Sequence, residues 1–383
     1  MTLLLHNAHV IAGNSTLQPG WILINGQRIE EIGEGLPPTT GDAERIDCGG
    51  NTALPGFIDL HVHGAVGFDT MDATPEALYA MAHFYAAHGV TGFLATTMTA
   101  DDPSTYRALE NAATCAGSIA DGATLLGVHL EGPYLNLAMK GAQNGTYIRR
   151  ASPAEYNRWL DLGVIQQVTV APEFPENQQF IRDCVGRGVN VSIGHTQATY
   201  EDFEHAVALG ARQATHTFNA MIGLHHRQPG TVGAALSLDQ VSCEFIADNL
   251  HVHPAVLKVG ISAKGVEGSI LITDSIMGAG MPDGEYALGG QAVTVAKGKA
   301  TLVDGTLAGS VLTMDVALRN ILAALNIPLV EAWPMTSANA ARQIGYDDRK
   351  GTLAAGYDAD VVLLDAQNHV ALTIAEGRVV FRR

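Results

Sequence analysis

Basic residues are scarce in this chain: 22 Lys and Arg stand against 39 Asp and Glu, a formal net charge of −17. That deficit excludes general binding to nucleic acid or to an anionic membrane, since both need a basic surface. An anionic small molecule stays open, because a local cluster of Arg and His can override the global field. Cysteine is scarce too. Cys48, Cys115, Cys184 and Cys243 are dispersed with no CxxC pair, which fits reduced structural thiols in the cytoplasm. No run reaches the roughly 18 apolar residues of a membrane span. The opening MTLLLHNAHVIAGN lacks a basic region and a small-residue cleavage site, so it reads as a β-strand and not as a signal peptide. Aromatics are only 6% of the chain, whereas 42 of its 383 residues are glycine. That balance suits many tight loops better than a bundle of long helices. Internal repeats and low-complexity segments are missing.

What is present is a large apolar share, 47%, enough for a sizeable core. The length suggests one large α/β unit with a minor domain. LLLHNAHVI and WILINGQRIEEIG read as strands, with Asn25-Gly26 as a hairpin signal. ADVVLLD and HVALTIAEGRVVF read the same way at the other end. We expect a small β-sandwich domain built from both termini, residues 1–53 and 346–383. Across 54–345, eight strand-like runs alternate with helical segments: GFIDLHVH, GFLATT, LLGVHLE, QVTVAP, VNVSIGH, QATHTF, SCEFIAD and SILITD. In PEALYAMAHFYAAHG, Leu78, Met81 and Tyr85 recur at helical spacing and Gly89 ends the helix. Eight such alternations predict an α/β fold, a (β/α)8 TIM-like barrel. An open doubly wound sheet would show a Gly-rich phosphate loop after its first strand; here that strand ends in HVHG. Alternation in GEYALGGQAVTVAKGKATLVDG predicts a β-hairpin insertion near 285–305. Two helices follow it, around LTMDVALRNILAAL and VEAWPMTSANAARQI.

Five of the eight runs finish on metal-capable side chains: Asp59, His61 and His63; Glu131; His195; His216; Asp274. In a barrel the C-terminal strand ends converge on one rim. His61 and His63 flank Val62, so on a strand they share a side and both can reach one ion at roughly 2.0–2.1 Å. A lone histidine is more often structural, the reading kept for His83, His88 and His205 on predicted helices. The combination carries the signal. A divalent ion lowers the pKa of bound water from 15.7 toward about 7 and polarises a carbonyl. A carboxylate beside it can take the water's proton and hand it to a leaving nitrogen. Asp274, alone at the end of strand eight, is the candidate for that shuttle, with a plain ligand or helix N-cap as the other reading.

HxH after strand one, an acid after strand three, single histidines after strands five and six and Asp after strand eight resemble the amidohydrolase superfamily. PGFIDLHVHG, HLEGPYLN, APE, GHTQAT, THTFNAM, RQPGTVGA, HVHP, LITDSIMGAG and GTLAGS resemble, more narrowly, its N-acetylglucosamine-6-phosphate deacetylases over essentially the whole chain. The resemblance implies hydrolysis of N-acetyl-D-glucosamine 6-phosphate to D-glucosamine 6-phosphate and acetate, a step of amino-sugar catabolism. It implies Glu131, His195 and His216 as ligands of a principal metal, Zn2+. His61 and His63 imply a second ion bridged by Glu131, so one or two per subunit. Asp274 becomes the general base and acid. Ala142, Asn219, Ala220, Arg227, His251 and the stretch Leu307, Ala308, Gly309 match positions that hold the sugar phosphate. Arg227 can reach in from a neighbouring subunit, which implies a homodimer.

Two positions depart from the pattern. Gln143 stands in the substrate-binding loop where some members have a histidine that polarises the acetyl carbonyl; a neutral amide donates but cannot become cationic. A second metal would compensate. Asn249 stands where glycine is usual. IGLHHRQPG, with PDGEY later, also resembles deacetylases of N-acetylgalactosamine 6-phosphate, which differs only at C4. A cyclic amidase of the dihydroorotase or hydantoinase type would bridge its metals with a carboxylated lysine, whereas the bridging position here is Glu131. A scaffold that had lost its chemistry would have lost ligands; all of them are present.

Overall fold

The computed structural model describes residues 2–13 and 15–383. Eight parallel strands pair in chain order: β1 (Phe57–Val62), β2 (Val90–Thr96), β3 (Thr124–Glu131), β4 (Ile165–Val170), β5 (Asn190–Ile193), β6 (Gln213–Ala214), β7 (Ser242–Ile246) and β8 (Ser269–Ile272). Bridges just beyond β8 close the ring onto β1. Val62 pairs with Ser275, Asp274 N donates to His61 O at 2.9 Å, and His63 N donates to Ser275 O at 2.8 Å. Every residue of β1, β2 and β3 is buried, as strands covered on both faces must be. Their near-continuous apolar runs follow from that.

Helix α1 (Pro75–Ala87) shows how the outer ring is set. Thr74 caps it, accepting from Ala77 N at 3.3 Å, and Pro75 stands where its missing N–H costs nothing. Leu78, Met81 and Tyr85 are buried against the barrel. Gly89, at φ +85°, turns the chain into β2, as expected from its place after the helix.

Strands from both termini lie in one hydrogen-bonded sheet, ordered 378–382, 370–375, 361–364, 52–55, 2–12, 15–25 and 28–34, with Glu44–Asp47 parallel to 2–12. Leu3, Leu5, Ile22, Ile24, Val361, Leu363 and Ile374 form its core. Buried Lys350 sits beside it, 2.8 Å from Asp358, 2.9 Å from Asp360 and 3.1 Å from Glu376. Glu376 also accepts from Ser118 of the barrel.

Three local expectations change. The run QATHTF holds only a two-residue strand. His216 N and Thr217 N donate across to Glu244 (3.1 Å to its Oε2, 2.8 Å to its backbone O), and the chain turns there. The insertion is a three-stranded sheet, Gly284–Leu288, Gln291–Ala296 and Lys299–Thr301, since a Lys297-Gly298 turn continues it past the hairpin. The last helical run breaks into Leu329–Ala332, a 3-10 turn at Trp333–Thr336, and Ala338–Gln343. Pro334, which has no N–H to give, sits at the break. Among the described residues, no single helix is long and apolar enough to cross a membrane.

Candidate active site

The C-terminal rim gathers the side chains that the strand ends carry. His61, His63, Glu131, His195, His216 and Asp274 are each at most 7% exposed. His195, His216 and Asp274 have φ of +48°, +31° and +51°. Such left-handed backbone costs on the order of 1–3 kcal/mol per non-glycine residue and survives only where the surroundings enforce it. Three such residues at three strand ends are a mark of function, because each turns its side chain toward the barrel axis.

Glu131 stands at the centre. Its Oε1 lies 3.2 Å from His195 Nε2, 3.3 Å from His216 Nε2 and 3.5 Å from His61 Nε2. Its Oε2 lies 3.3 Å from His63 Nε2. Asp274 Oδ1 is 3.5 Å from His61 Nε2 and 3.3 Å from His63 Nε2. His195 Nε2 and His216 Nε2 are 3.0 Å apart. Two sets of three converge, His61–His63–Asp274 and Glu131–His195–His216.

The donor sets fit metal ions. Ligands held at about 2.0–2.1 Å in a tetrahedron lie roughly 3.3 Å from one another, and the observed separations cluster there. The unused ring nitrogens point outward: His195 Nδ1 donates to Met139 O at 2.9 Å, and His61 Nδ1 donates to Glu244 Oε2 at 3.3 Å. Protons on Nδ1 leave lone pairs on the inward Nε2 atoms. His61 Nε2 and Glu131 Oε1 are buried with no hydrogen-bond partner, a condition worth about 1–3 kcal/mol each against the fold unless something binds them.

Electrostatics say the same. Burial disfavours charge on His61 and His63, yet the carboxylates of Glu131 and Asp274 outweigh it. They lift His61 well above its ordinary value and His63 to about 9. Burial works against Asp274 as well, but the neighbouring His61 and His63 bring it to about 2, and His61 with the other imidazoles holds Glu131 far below the carboxylate range. The pocket demands positive charge between its carboxylates.

A cavity of about 330 Å3 opens over this cluster. Ala142, Asn219, Ala220, His251, Leu307 and Gly309 line it, as do Gln143 and Met98. Ala308 is fully buried in the packing behind and is not part of the wall. Arg227 is likewise absent from the wall: it is exposed on the loop after β6, its Nη1 2.8 Å from His226 Nε2. Gln143 has both ends engaged, its Nε2 donating to Glu131 Oε2 at 2.5 Å and its Oε1 accepting from Thr99 N at 2.8 Å. It therefore braces Glu131, where a histidine would be free to polarise a carbonyl. His251 is held by Asp248, Nδ1 to Oδ2 at 2.7 Å. Asn249 has φ +64°, the conformation that glycine would take there and that asparagine tolerates best among the other residues.

Two supporting carboxylates were given no role by the motifs, although APE contains one of them. Glu244, fully buried in β7, accepts from His61 Nδ1, His216 N, Gln167 Nε2 (2.8 Å) and Gln213 Nε2. Its signal in the sequence is a charge inside the apolar stretch CEFIA. Glu173, in APE, accepts from Asn136 Nδ2 at 2.8 Å, Thr196 Oγ1 at 2.5 Å and Gln197 N at 2.9 Å, and so clamps the turn that carries His195.

Residues 52–380 match the amidohydrolase family. An N-acetylglucosamine-6-phosphate deacetylase of Lysinibacillus sphaericus is 39% identical over 381 residues, 99% of this chain and 98% of that protein. An N-acetylgalactosamine-6-phosphate deacetylase of Escherichia coli O157:H7 is 38% identical over 380 residues, 97% of this chain and 99% of that one. Among solved structures, the N-acetylglucosamine-6-phosphate deacetylase of Pasteurella multocida superposes with a TM-score of 0.93 at 30% identity, covering 99% of both chains.

Proposed function

The chain belongs to the amidohydrolase family, and from that premise we propose that it is a metal-dependent deacetylase of N-acetyl-D-glucosamine 6-phosphate, releasing D-glucosamine 6-phosphate and acetate. The observation that carries this reading is Glu131, placed between two imidazole pairs with one oxygen buried and unpartnered. Glu131, His195 and His216 would hold the principal ion, and His61 and His63 with Glu131 a second; Zn2+ suits this nitrogen and carboxylate set. When bound, a divalent ion supplies Lewis-acid polarisation of the acetyl carbonyl and acidifies the attacking water.

The protein's own groups do the rest. Asp274, ionised at neutral pH, receives the water's proton and returns it to the departing nitrogen, so the amine leaves neutral and not as an amide anion. Gln143 keeps Glu131 ionised and oriented by donating to it. Asn219, Ala220, His251, Ala142, Leu307 and Gly309 orient the sugar phosphate. Arg227, exposed within its own chain, would serve the phosphate from a second copy in a homodimer, where its planar fork suits three anionic oxygens. The cytoplasm is the expected compartment.

The test is acetate release from N-acetylglucosamine 6-phosphate and N-acetylgalactosamine 6-phosphate by Zn2+-loaded protein, with ring opening of dihydroorotate and hydantoin measured beside it. Faster turnover of the galacto substrate would reassign the hexose, an outcome the 38% identical Escherichia coli relative keeps in view. No acetate from either sugar would refute the reading.

A further inference from the structure

A second cavity, of about 360 Å3, adjoins the catalytic pocket. Met98 lines both, and Leu288 faces the first while its neighbour Gly289 faces the second. Met98 follows β2, is 2% exposed, and is one hydrogen bond away from the bracing of Glu131: the next residue's N donates to Gln143 Oε1. Three methionines, Met71, Met98 and Met277, and Ala287 give this side chamber its apolar walls. Asp69, Asp72 and Ser104 make it polar elsewhere.

The barrel's order says what would enter. Asn219 and Ala220 follow β6, four strands round an eight-stranded ring from β2, so they face Met98 across the cluster. Of the proposed sugar contacts, Asn219, Ala220 and His251 stand after β6 and β7, away from Met98, whereas Ala142 packs in the same apolar cluster as Met98. A secondary amide is planar and strongly prefers trans, which sets the acyl group's alkyl carbon and the nitrogen's sugar substituent on opposite sides of the C–N bond. With the sugar on the β6 side, the acyl group points at Met98.

We propose that this chamber is a subsite for N-acyl groups longer than acetyl, with Met98 as its gate. The proposal rests on the deacetylase reading above and adds the acyl specificity. Methionine is unbranched and adapts its shape by rotation, so the chain of a propionyl or butyryl group displaces the thioether and packs against Met71 and Met277. A volume of about 360 Å3 is ample beside the roughly 30 Å3 of one liquid water. The reaction stays a hydrolysis: water adds to the carbonyl carbon, the C–N bond breaks, and the products are the carboxylate and the ammonium sugar phosphate. A closed acetyl pocket would lose about 1–3 kcal/mol for each forced-in methylene, a five- to 150-fold drop. An open chamber instead gains up to about fourfold for each methylene buried.

The experiment measures kcat/KM of the Zn2+-loaded enzyme on the N-acetyl, N-propionyl and N-butyryl glucosamine 6-phosphates. The expected result is a butyryl value within tenfold of the acetyl value. Met98→Ala should raise the butyryl-to-acetyl ratio at least fourfold. Ala287→Phe, which fills the chamber from its far wall, should lower that ratio at least tenfold while acetyl turnover holds within twofold. A wild-type butyryl value more than tenfold below acetyl, with a ratio that Met98→Ala does not raise, overturns the proposal. So does an Ala287→Phe that lowers both substrates in proportion. The wild-type series needs no variant to fold. If the acetyl substrate itself is not cleaved, the failure lies with the deacetylase reading and not with the chamber.

Discussion

Replacing Glu244 by glutamine tests whether the barrel floor sets the metal site. The carboxylate has two donors on each oxygen: Gln167 and Gln213 on Oε1, His61 Nδ1 and His216 N on Oε2. Glutamine has one acceptor oxygen, so its NH2 must face two donors whichever way the amide turns. If it faces Gln167 and Gln213, the floor network breaks; if it faces His61, the imidazole loses its acceptor. The tautomer with the proton on Nε2 then gains, and that proton occupies the lone pair an ion needs. Hydrogen bonds to a charged group are worth about 1.5–3 kcal/mol, and loss of an outer partner of a metal ligand weakens binding roughly 10–100-fold. We expect Glu244→Gln to retain one Zn2+ and to weaken the second by that factor. The assay is chelator-competition titration with elemental analysis of the dialysed protein. Two ions held with affinities within twofold of the parent would refute the coupling of Glu244 to His61.

Asp274→Asn should leave KM within a few-fold and cut kcat by about 10²–10⁴-fold, the usual share of a general acid–base group; steady-state acetate release checks it. In the metal-free protein His63 titrates near 9 instead of its ordinary value of about 6.5. Metal uptake near pH 7.5 should therefore release protons, visible as a calorimetric heat that changes with the buffer's ionisation enthalpy. The sign for stability follows. Because the folded pKa is the higher one, the stabilisation from His63 is full below about 6.5 and is lost as pH rises through about 9, so the metal-free melting temperature should fall across that window. A flat profile with no proton release would count against the charged imidazoles. Lys350→Met removes the cation shared by Asp358, Asp360 and Glu376, and should cost about 3–5 kcal/mol in urea unfolding; a loss under 1 kcal/mol would mean that Arg349, 2.7 Å from Asp358 and 3.7 Å from Glu376, and Arg28, 2.8 Å from Asp358, compensate.

The rim of the barrel was legible because strand periodicity places it. His61 and His63 share a face for the same reason any i, i+2 pair does, and Glu131, His195, His216 and Asp274 each close an apolar run whose end a parallel barrel brings to one side. The shortness of β6 was not legible, since His216 N donates to the side chain of Glu244 on the neighbouring β7 and not to that strand's backbone. Glu244 itself was hidden for a related reason. Its partners stand 183, 77, 31 and 28 residues away, at His61, Gln167, Gln213 and His216, and only closure of the ring brings them together. Arg227 marks the opposite case. Its motif announces a phosphate contact, yet the same chain leaves it exposed, because a loop's destination depends on what packs against it and not on its own spacing. Strand ends inherit their place from the backbone register, so short motifs describe them well. Floor residues and loop tips take theirs from closure and assembly, so a position-by-position reading of the chain under-describes the groups that hold the ligands in aim.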